Sequence, residues 1–229
     1  MKKTQDIKQE NINNSFEKFG KHIPAVILFL LIAVVYLTTF FSLYPDMPII
    51  ERFAENIPGF DKIYPPFRLD ENNYYVMAQN ILNGSVYQEN SPERNFPIGY
   101  SVFAAPFIAV FGQTGGYIAN ILIILASLII MYLLMIRYGS PAKALVFVAI
   151  MAFATLDWFY ADSYYSEPLS QLFVILSFFL LTVKEDSKRW EFLIFISGIV
   201  SALNLFVRPH YVILVLPFFI FSLRAGTSL

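Results

Sequence analysis

The stretch IPAVILFLLIAVVYLTTFFSLY, residues 23–44, decides the fold class of this chain. These 22 residues carry no charge, and an apolar helix needs about 20 residues to cross the hydrocarbon core of a bilayer. A cleaved signal peptide is the competing interpretation, but its apolar core is about 7 to 15 residues long and ends in small residues. This run is longer and leads into Pro45 and Asp46, so we expect a first membrane span.

Five further apolar runs follow, at 117–136, 142–160, 169–183, 192–207 and 211–223. Hydrophobic residues make up 57% of the chain and charged residues only 14%, a balance typical of membrane proteins. The sequence therefore predicts an all-α fold, a polytopic transmembrane helical bundle of about six spans. The last two runs are separated only by Arg208, Pro209 and His210, and we expect a tight helical hairpin because proline cannot continue a helix.

Charge and cysteine content exclude several classes of function. The net charge of −1 gives no sign of a nucleic-acid partner. With two His and no Cys, the chain has no disulfide framework and no zinc or iron–sulfur motif.

Basic residues indicate the orientation, because Lys and Arg beside membrane spans prefer the cytoplasm. With the N-terminus inside and six spans, eleven of the 16 Lys and Arg residues fall on the cytoplasmic side. Residues 1–22 are then a cytoplasmic polar tail, and the first loop, 45–96, is extracytoplasmic. The 157–167 loop and the 208–210 bend lie on that same side. We therefore expect a multi-pass protein of the cell (inner) membrane with an extracytoplasmic site, and an aromatic belt at residues 158–165.

The first loop contains the polar stretch RLDENNYYVMAQNILNG, residues 68–84. Helical patterns at 49–56 and 70–83 predict amphipathic helices, with Asp70 in the first turn of the second. Asp70 is either a functional carboxylate or an ordinary helix cap, since Asp is favoured at this position. Glu167, at the start of the fourth apolar run, has the same two interpretations. Arg208 either has a functional partner or snorkels to the headgroups.

Four short motifs occur in an order that resembles the GT-C class of membrane glycosyltransferases. They are the pair Asp70-Glu71, the run from Phe96 to Tyr100 that leads into Ala105-Pro106-Phe107, the Ser166-Glu167-Pro168-Leu169 motif, and Arg208-Pro209. The closest similarity is to the protein mannosyltransferase and aminoarabinose transferase type, over residues 25–223. Members of that family usually continue for several more spans, so the chain resembles their N-terminal portion.

The resemblance implies a hexosyl or pentosyl transferase that moves a sugar from a polyprenyl-phosphate donor to an acceptor, with inversion at the anomeric carbon. Asp70 is the implied catalytic base and Glu71 its reserve. Arg208, His210 and Arg94 would bind the leaving phosphate. Glu167 and Tyr100 complete the substrate-binding set, and the 99–111 segment, broken by Pro106, would lie in the membrane interface.

A metal site is not demanded, although Asp70, Glu71 and Glu167 offer the hard oxygen ligands of a divalent cation. Expected partners are membrane lipid, the polyprenyl-phosphate sugar and a second chain that completes the fold. The alternative function is a non-catalytic membrane protein of the same fold, truncated or accessory. A transporter is a third interpretation, but no charge lies in the middle of an expected span and no paired half-repeats occur.

Overall fold

A computed structural model describes residues 20–43, 69–85, 96–182 and 190–214. These residues form eight α-helices and a 3₁₀ segment without any β-strand, which confirms the expected all-α class. In chain order the helices are α1 (Ile23–Leu43), α2 (Leu69–Leu82), α3 (Gly99–Phe111), α4 (Thr114–Tyr138), α5 (Pro141–Ala154), α6 (Asp157–Tyr160), α7 (Glu167–Leu181) and α8 (Trp190–Val207). The 3₁₀ segment, Pro209–Leu214, follows α8. The expected helix at 49–56 lies outside the described residues.

Among the described residues, three helices, α1, α4 and α8, are long and apolar enough to cross a membrane. One broad face of α1 exposes large apolar side chains, among them Ile27, Leu30 and Val34. A soluble monomer rarely exposes a contiguous apolar surface of this kind. The described part of the chain is therefore all-helical and has helices suited to insertion into a membrane.

Two other expected spans, 142–160 and 169–183, form shorter helices, whereas the last expected span, 211–223, lies outside the described residues beyond residue 214. The run 142–160 divides at Thr155, whose hydroxyl donates to the Met151 carbonyl (2.6 Å) and accepts from the Asp157 N–H (3.2 Å). The resulting α5 has 14 residues, or about 21 Å at 1.5 Å per residue, against about 30 Å for the hydrocarbon core. Helix α7 has 15 residues. Six spans remain a prediction.

Helix α3 differs from its expected form because it continues through Pro106 without a break. Proline lacks the N–H that would bond to the Val102 carbonyl one turn earlier. The side chain of Pro106 is exposed, so its ring faces away from the packed helices. Gly99 starts this helix, and a Cβ there would lie 2.7 Å from the Phe206 carbonyl carbon. The absence of a side chain at Gly99 thus lets α3 begin against the end of α8.

Helix α4 is the centre of the fold and packs against α1, α3, α5 and α7. Helices α7 and α8 form a second close pair, joined by buried serines. The hydroxyls of Ser177 and Ser197 each donate to the backbone carbonyl of the other, at 3.3 and 3.0 Å, and the Ser201 hydroxyl donates to that of Ser177 at 3.1 Å. Small polar residues allow helices to approach closely and to bond in an apolar environment.

Candidate functional site

The segment 161–166, between α6 and α7, is bound by side chains from α4, from α2 and from the end of α8. From α4, the Asn120 amide donates to the carbonyls of Ser163 (2.5 Å) and Tyr165 (3.2 Å). The Tyr164 hydroxyl donates to the Gln113 carbonyl and accepts from the Gly116 N–H at 3.0 Å. These bonds anchor the segment to the N-terminal half of α4.

Tyr164 is buried completely and packs edge-on against Tyr117, with ring centroids 4.6 Å apart. A Cβ on Gly116 would overlap the Tyr164 ring, so this position requires glycine. Burial raises the pKa of the Tyr164 phenol well above its usual value, and the neighbouring Tyr117 and Tyr100 add to the shift. The phenol therefore stays protonated and keeps its role as a donor.

Helix α2 reaches the same segment through two side chains. The carboxylate of Glu71, which is 4% exposed, accepts from the Tyr164 N–H at 3.3 Å. One turn later, the Tyr74 hydroxyl lies 3.0 Å from the Ser166 hydroxyl. These contacts bring the polar stretch of the first loop against the start of α7.

Arg208 approaches Ser166 from the end of α8. Its Nε donates to the Ser166 hydroxyl at 2.9 Å, and its Nη2 forms an ion pair with Oε1 of Glu167, the first residue of α7. The other Glu167 oxygen, Oε2, is buried and has no hydrogen-bond partner among the residues that the structure describes. The acidic Glu167 at the N-terminus of α7 and the basic Arg208 just past the C-terminus of α8 both suit the helix dipoles.

Tyr100 completes a group of six residues that we call the Ser166 junction: Glu71, Tyr74, Tyr100, Ser166, Glu167 and Arg208. The Tyr100 side chain has no exposed surface, and its ring packs edge-on against Tyr74 at 5.1 Å. Its hydroxyl has no hydrogen-bond partner within the described ranges. Burial raises the pKa of Tyr100 well above its usual value, and Tyr74, Glu71 and Glu167 raise it further. The phenol is thus a protonated donor.

Four of the seven site residues expected from the sequence meet in this junction: Glu71, Tyr100, Glu167 and Arg208. His210 is exposed on the 3₁₀ segment, where its ring packs beside that of Tyr211, with centroids 4.7 Å apart. Asp70 lies in the first turn of α2, but its side chain is outside the described residues, and so is Arg94.

Four residues that position the site were given no site role by sequence reasoning: Tyr74, Asn120, Tyr164 and Ser166. Asn120 carried a usable signal, since it is the one amide side chain in the apolar run 117–136. Tyr164 was expected in an aromatic belt, and that interpretation is wrong because the residue is buried and hydrogen-bonded. Trp158 and Phe159, on the neighbouring helix α6, are exposed as a belt would require.

The described residues contain no group of three or more His, Cys, Asp or Glu side chains close enough to hold a metal ion. One oxygen of Glu167 is already paired with Arg208. Asp70, the third expected oxygen donor, has a side chain outside the described residues, so the described residues alone do not make up a cation site.

The fold and the junction define a class, that of all-helical proteins with membrane-compatible helices and a polar centre at one helix junction. Comparisons with models of protein families, with curated proteins and with solved structures gave no match.

Proposed function

We propose that this protein is a multi-pass membrane glycosyltransferase with six spans and a cytoplasmic N-terminus. In this proposal it moves a sugar from a polyprenyl-phosphate donor to an acceptor on the extracytoplasmic side of the cell membrane. The support is the Ser166 junction, where an arginine, two acidic residues and a buried phenol from four separate parts of the chain lie together. An arginine suits the phosphate of such a donor, and carboxylates and a phenol can hydrogen-bond to its sugar hydroxyls.

The proposal rests on hydrogen-bonding groups in the junction that the described residues satisfy only in part. A guanidinium has five N–H donors. Arg208 binds Ser166 through Nε and Glu167 through Nη2, which leaves some of these donors available for a ligand. The Tyr100 hydroxyl and Glu167 Oε2 are buried without a described partner, and leaving such groups unsatisfied costs about 1–3 kcal/mol each. A ligand with phosphate oxygens and sugar hydroxyls would satisfy all three groups.

The proposed reaction is an inverting displacement. The acceptor oxygen or nitrogen attacks the anomeric carbon, the bond from that carbon to the phosphate oxygen breaks, and polyprenyl phosphate leaves with the electron pair. The acceptor proton passes to the carboxylate of Asp70, a role that contributes about 10² to 10⁴ in rate for a well-placed base. Arg208 would stabilise the negative charge on the leaving phosphate.

Glu71 is better suited to positioning than to proton transfer. Its carboxylate is buried and bound by the Tyr164 N–H, which ties α2 to the 161–166 segment. This assignment leaves Asp70, the preceding residue of α2, as the base.

A non-catalytic membrane protein of the same fold is the second candidate function. The pairing of Arg208 with Glu167 favours it, because an internally neutralised arginine needs no phosphate to be stable.

Transfer from defined donors tests the proposal. The purified protein is reconstituted in liposomes with polyprenyl-phosphate mannose or aminoarabinose, and release of polyprenyl phosphate is measured with a membrane extract as acceptor. We expect release with one of these donors. If no polyprenyl-phosphate sugar gives release, the proposed enzyme activity is refuted and the non-catalytic function is favoured instead.

A further inference from the structure

A groove of about 480 Å³ lies between the end of α5, helix α6, the start of α7 and the 3₁₀ segment. This volume is in the range of small-molecule sites, about 300–1,000 Å³. The groove is distinct from the junction described above, although Glu167 contacts both.

The groove is polar at one end and apolar at the other because of the helical period of α7. Glu167, Gln171, Val174 and Ile175 all line it, and residues three, four, seven and eight positions apart share a helix face. The first two side chains are polar and the last two are aliphatic, so polarity falls along the groove. Met151 from α5 continues the apolar wall.

A buried carboxylate lies at the polar end. Asp157 is 4% exposed, and its Oδ2 accepts from the Gln171 amide at 3.3 Å. This partner is neutral, whereas Glu167 is neutralised by Arg208. Burial raises the pKa of the Asp157 carboxyl, and the bond from Gln171 opposes that shift. A buried carboxylate is stabilised strongly only by a cation that also hydrogen-bonds to it.

We propose that this groove binds an amphiphile with a primary ammonium head and an alkyl tail. The head lies against Asp157, where its three N–H donors meet the carboxylate and the hydroxyl oxygens of Tyr160 and Tyr211, which also line the groove. The tail lies along Val174, Ile175 and Met151. This site does not depend on the proposed sugar transfer.

Saturation binding of radiolabelled dodecylammonium tests the site. The parent protein is reconstituted in phosphatidylcholine nanodiscs, and binding to empty nanodiscs is subtracted. We expect Asp157→Asn, which keeps the size and an acceptor for Gln171, to weaken binding at least about tenfold, as loss of a charged hydrogen bond would. Glu191→Gln removes an exposed carboxylate outside the groove and should bind as the parent does.

Further probes of the parent protein keep the test independent of the folding of any variant. Dodecanol and dodecyl sulfate should bind at least about tenfold more weakly than dodecylammonium, and butylammonium should also bind more weakly because it lacks the tail. Val174→Phe, which narrows the apolar end of the groove and leaves Asp157 in place, should weaken the binding of dodecylammonium. The site is refuted if Asp157→Asn binds as tightly as the parent, or if dodecanol or dodecyl sulfate matches dodecylammonium in the parent. Equal binding of butylammonium would refute the apolar end.

Discussion

Arg208 and Glu167 form an ion pair that joins the end of one helix to the beginning of another. Arg208 follows the last residue of α8, and Glu167 is the first residue of α7. The same guanidinium holds the Ser166 hydroxyl, to which Tyr74 of α2 also lies within hydrogen-bond distance. One arginine thus connects three parts of the chain that are far apart in sequence.

Replacing Arg208 with lysine separates charge from geometry. Lysine keeps the positive charge but loses the planar fork that binds two oxygens at once, so we expect polyprenyl-phosphate binding to weaken about tenfold with little loss of stability. Arg208→Ala should weaken it more and lower the unfolding free energy by about 1 kcal/mol, the upper value for a partly exposed pair. Binding of radiolabelled polyprenyl phosphate, measured by scintillation counting, gives the affinity of each variant.

Arg137→Lys is the matched control for that experiment. Arg137 lies in the last turn of α4, stacks on the Phe179 ring and donates to the Phe179 carbonyl at 3.0 Å. Its replacement should leave lipid-phosphate binding unchanged. If both Arg208 variants bind polyprenyl phosphate as tightly as the parent does, Arg208 does not bind the ligand. Its roles are then the ion pair with Glu167 and contact with lipid headgroups.

Gly116→Ala should destabilise the protein because the added methyl overlaps the Tyr164 ring. Overpacking of this kind costs about 1–3 kcal/mol, and displacement of Tyr164 also breaks its bond with the Gly116 N–H. Gly198→Ala is the control, since its new Cβ would meet no atom within 4 Å and alanine favours a helix by about 0.5–1 kcal/mol. Thermal unfolding in detergent compares the two, and an equal effect of both would contradict the packing described here.

The hydrogen bonds between serines of α7 and α8 predict that the loss of stability depends on which side chain replaces Ser197. Ser197→Ala removes one bond to the Ser177 carbonyl and should cost about 0.6 kcal/mol, the average for such bonds between membrane helices. Ser197→Leu should cost more, because Ser197 has no exposed surface and a larger side chain would push the helices apart. Leu203→Ala, on an exposed face of α8, is the control and should change stability less than Ser197→Leu in unfolding by SDS titration.

Cysteine labelling tests the proposed orientation, since the chain has no natural cysteine. Asn83→Cys, in the expected extracytoplasmic loop, should react with an impermeant thiol reagent in intact cells. Lys143→Cys, in the expected cytoplasmic connection, should react only after the membrane is opened. Both residues are exposed, so burial does not confound the result, whereas the buried Ser163 would be unsuitable. Reversed labelling would overturn the orientation and the site location together.

The sequence was most informative where a signal is local. The charge-free run 23–44 predicted α1 almost to the residue, and the helical pattern at 70–83 predicted α2. It failed at residue 155, because a threonine in an apolar run gives no local sign that its hydroxyl will bond on both sides and end α5.

The site was predictable only in part, for a related reason. Glu71, Glu167 and Arg208 stood out as charges in an apolar chain. Ser166 was noted only as part of a motif, since a serine is ordinary at the start of a helix. Only the fold brings Tyr74 and Arg208 to it.

Sugar transfer by Asp70→Asn is the most direct test of the account. Asn keeps the size of Asp but cannot accept the acceptor's proton, so transfer should fall at least about 10²-fold. The melting temperature and polyprenyl-phosphate binding should stay near those of the parent. If Asp70 only stabilises the first turn of α2, sugar transfer by the Asp70→Asn variant stays at the parent rate, which would contradict the proposed mechanism. Asp70→Ala should then change only the stability, by less than about 1 kcal/mol.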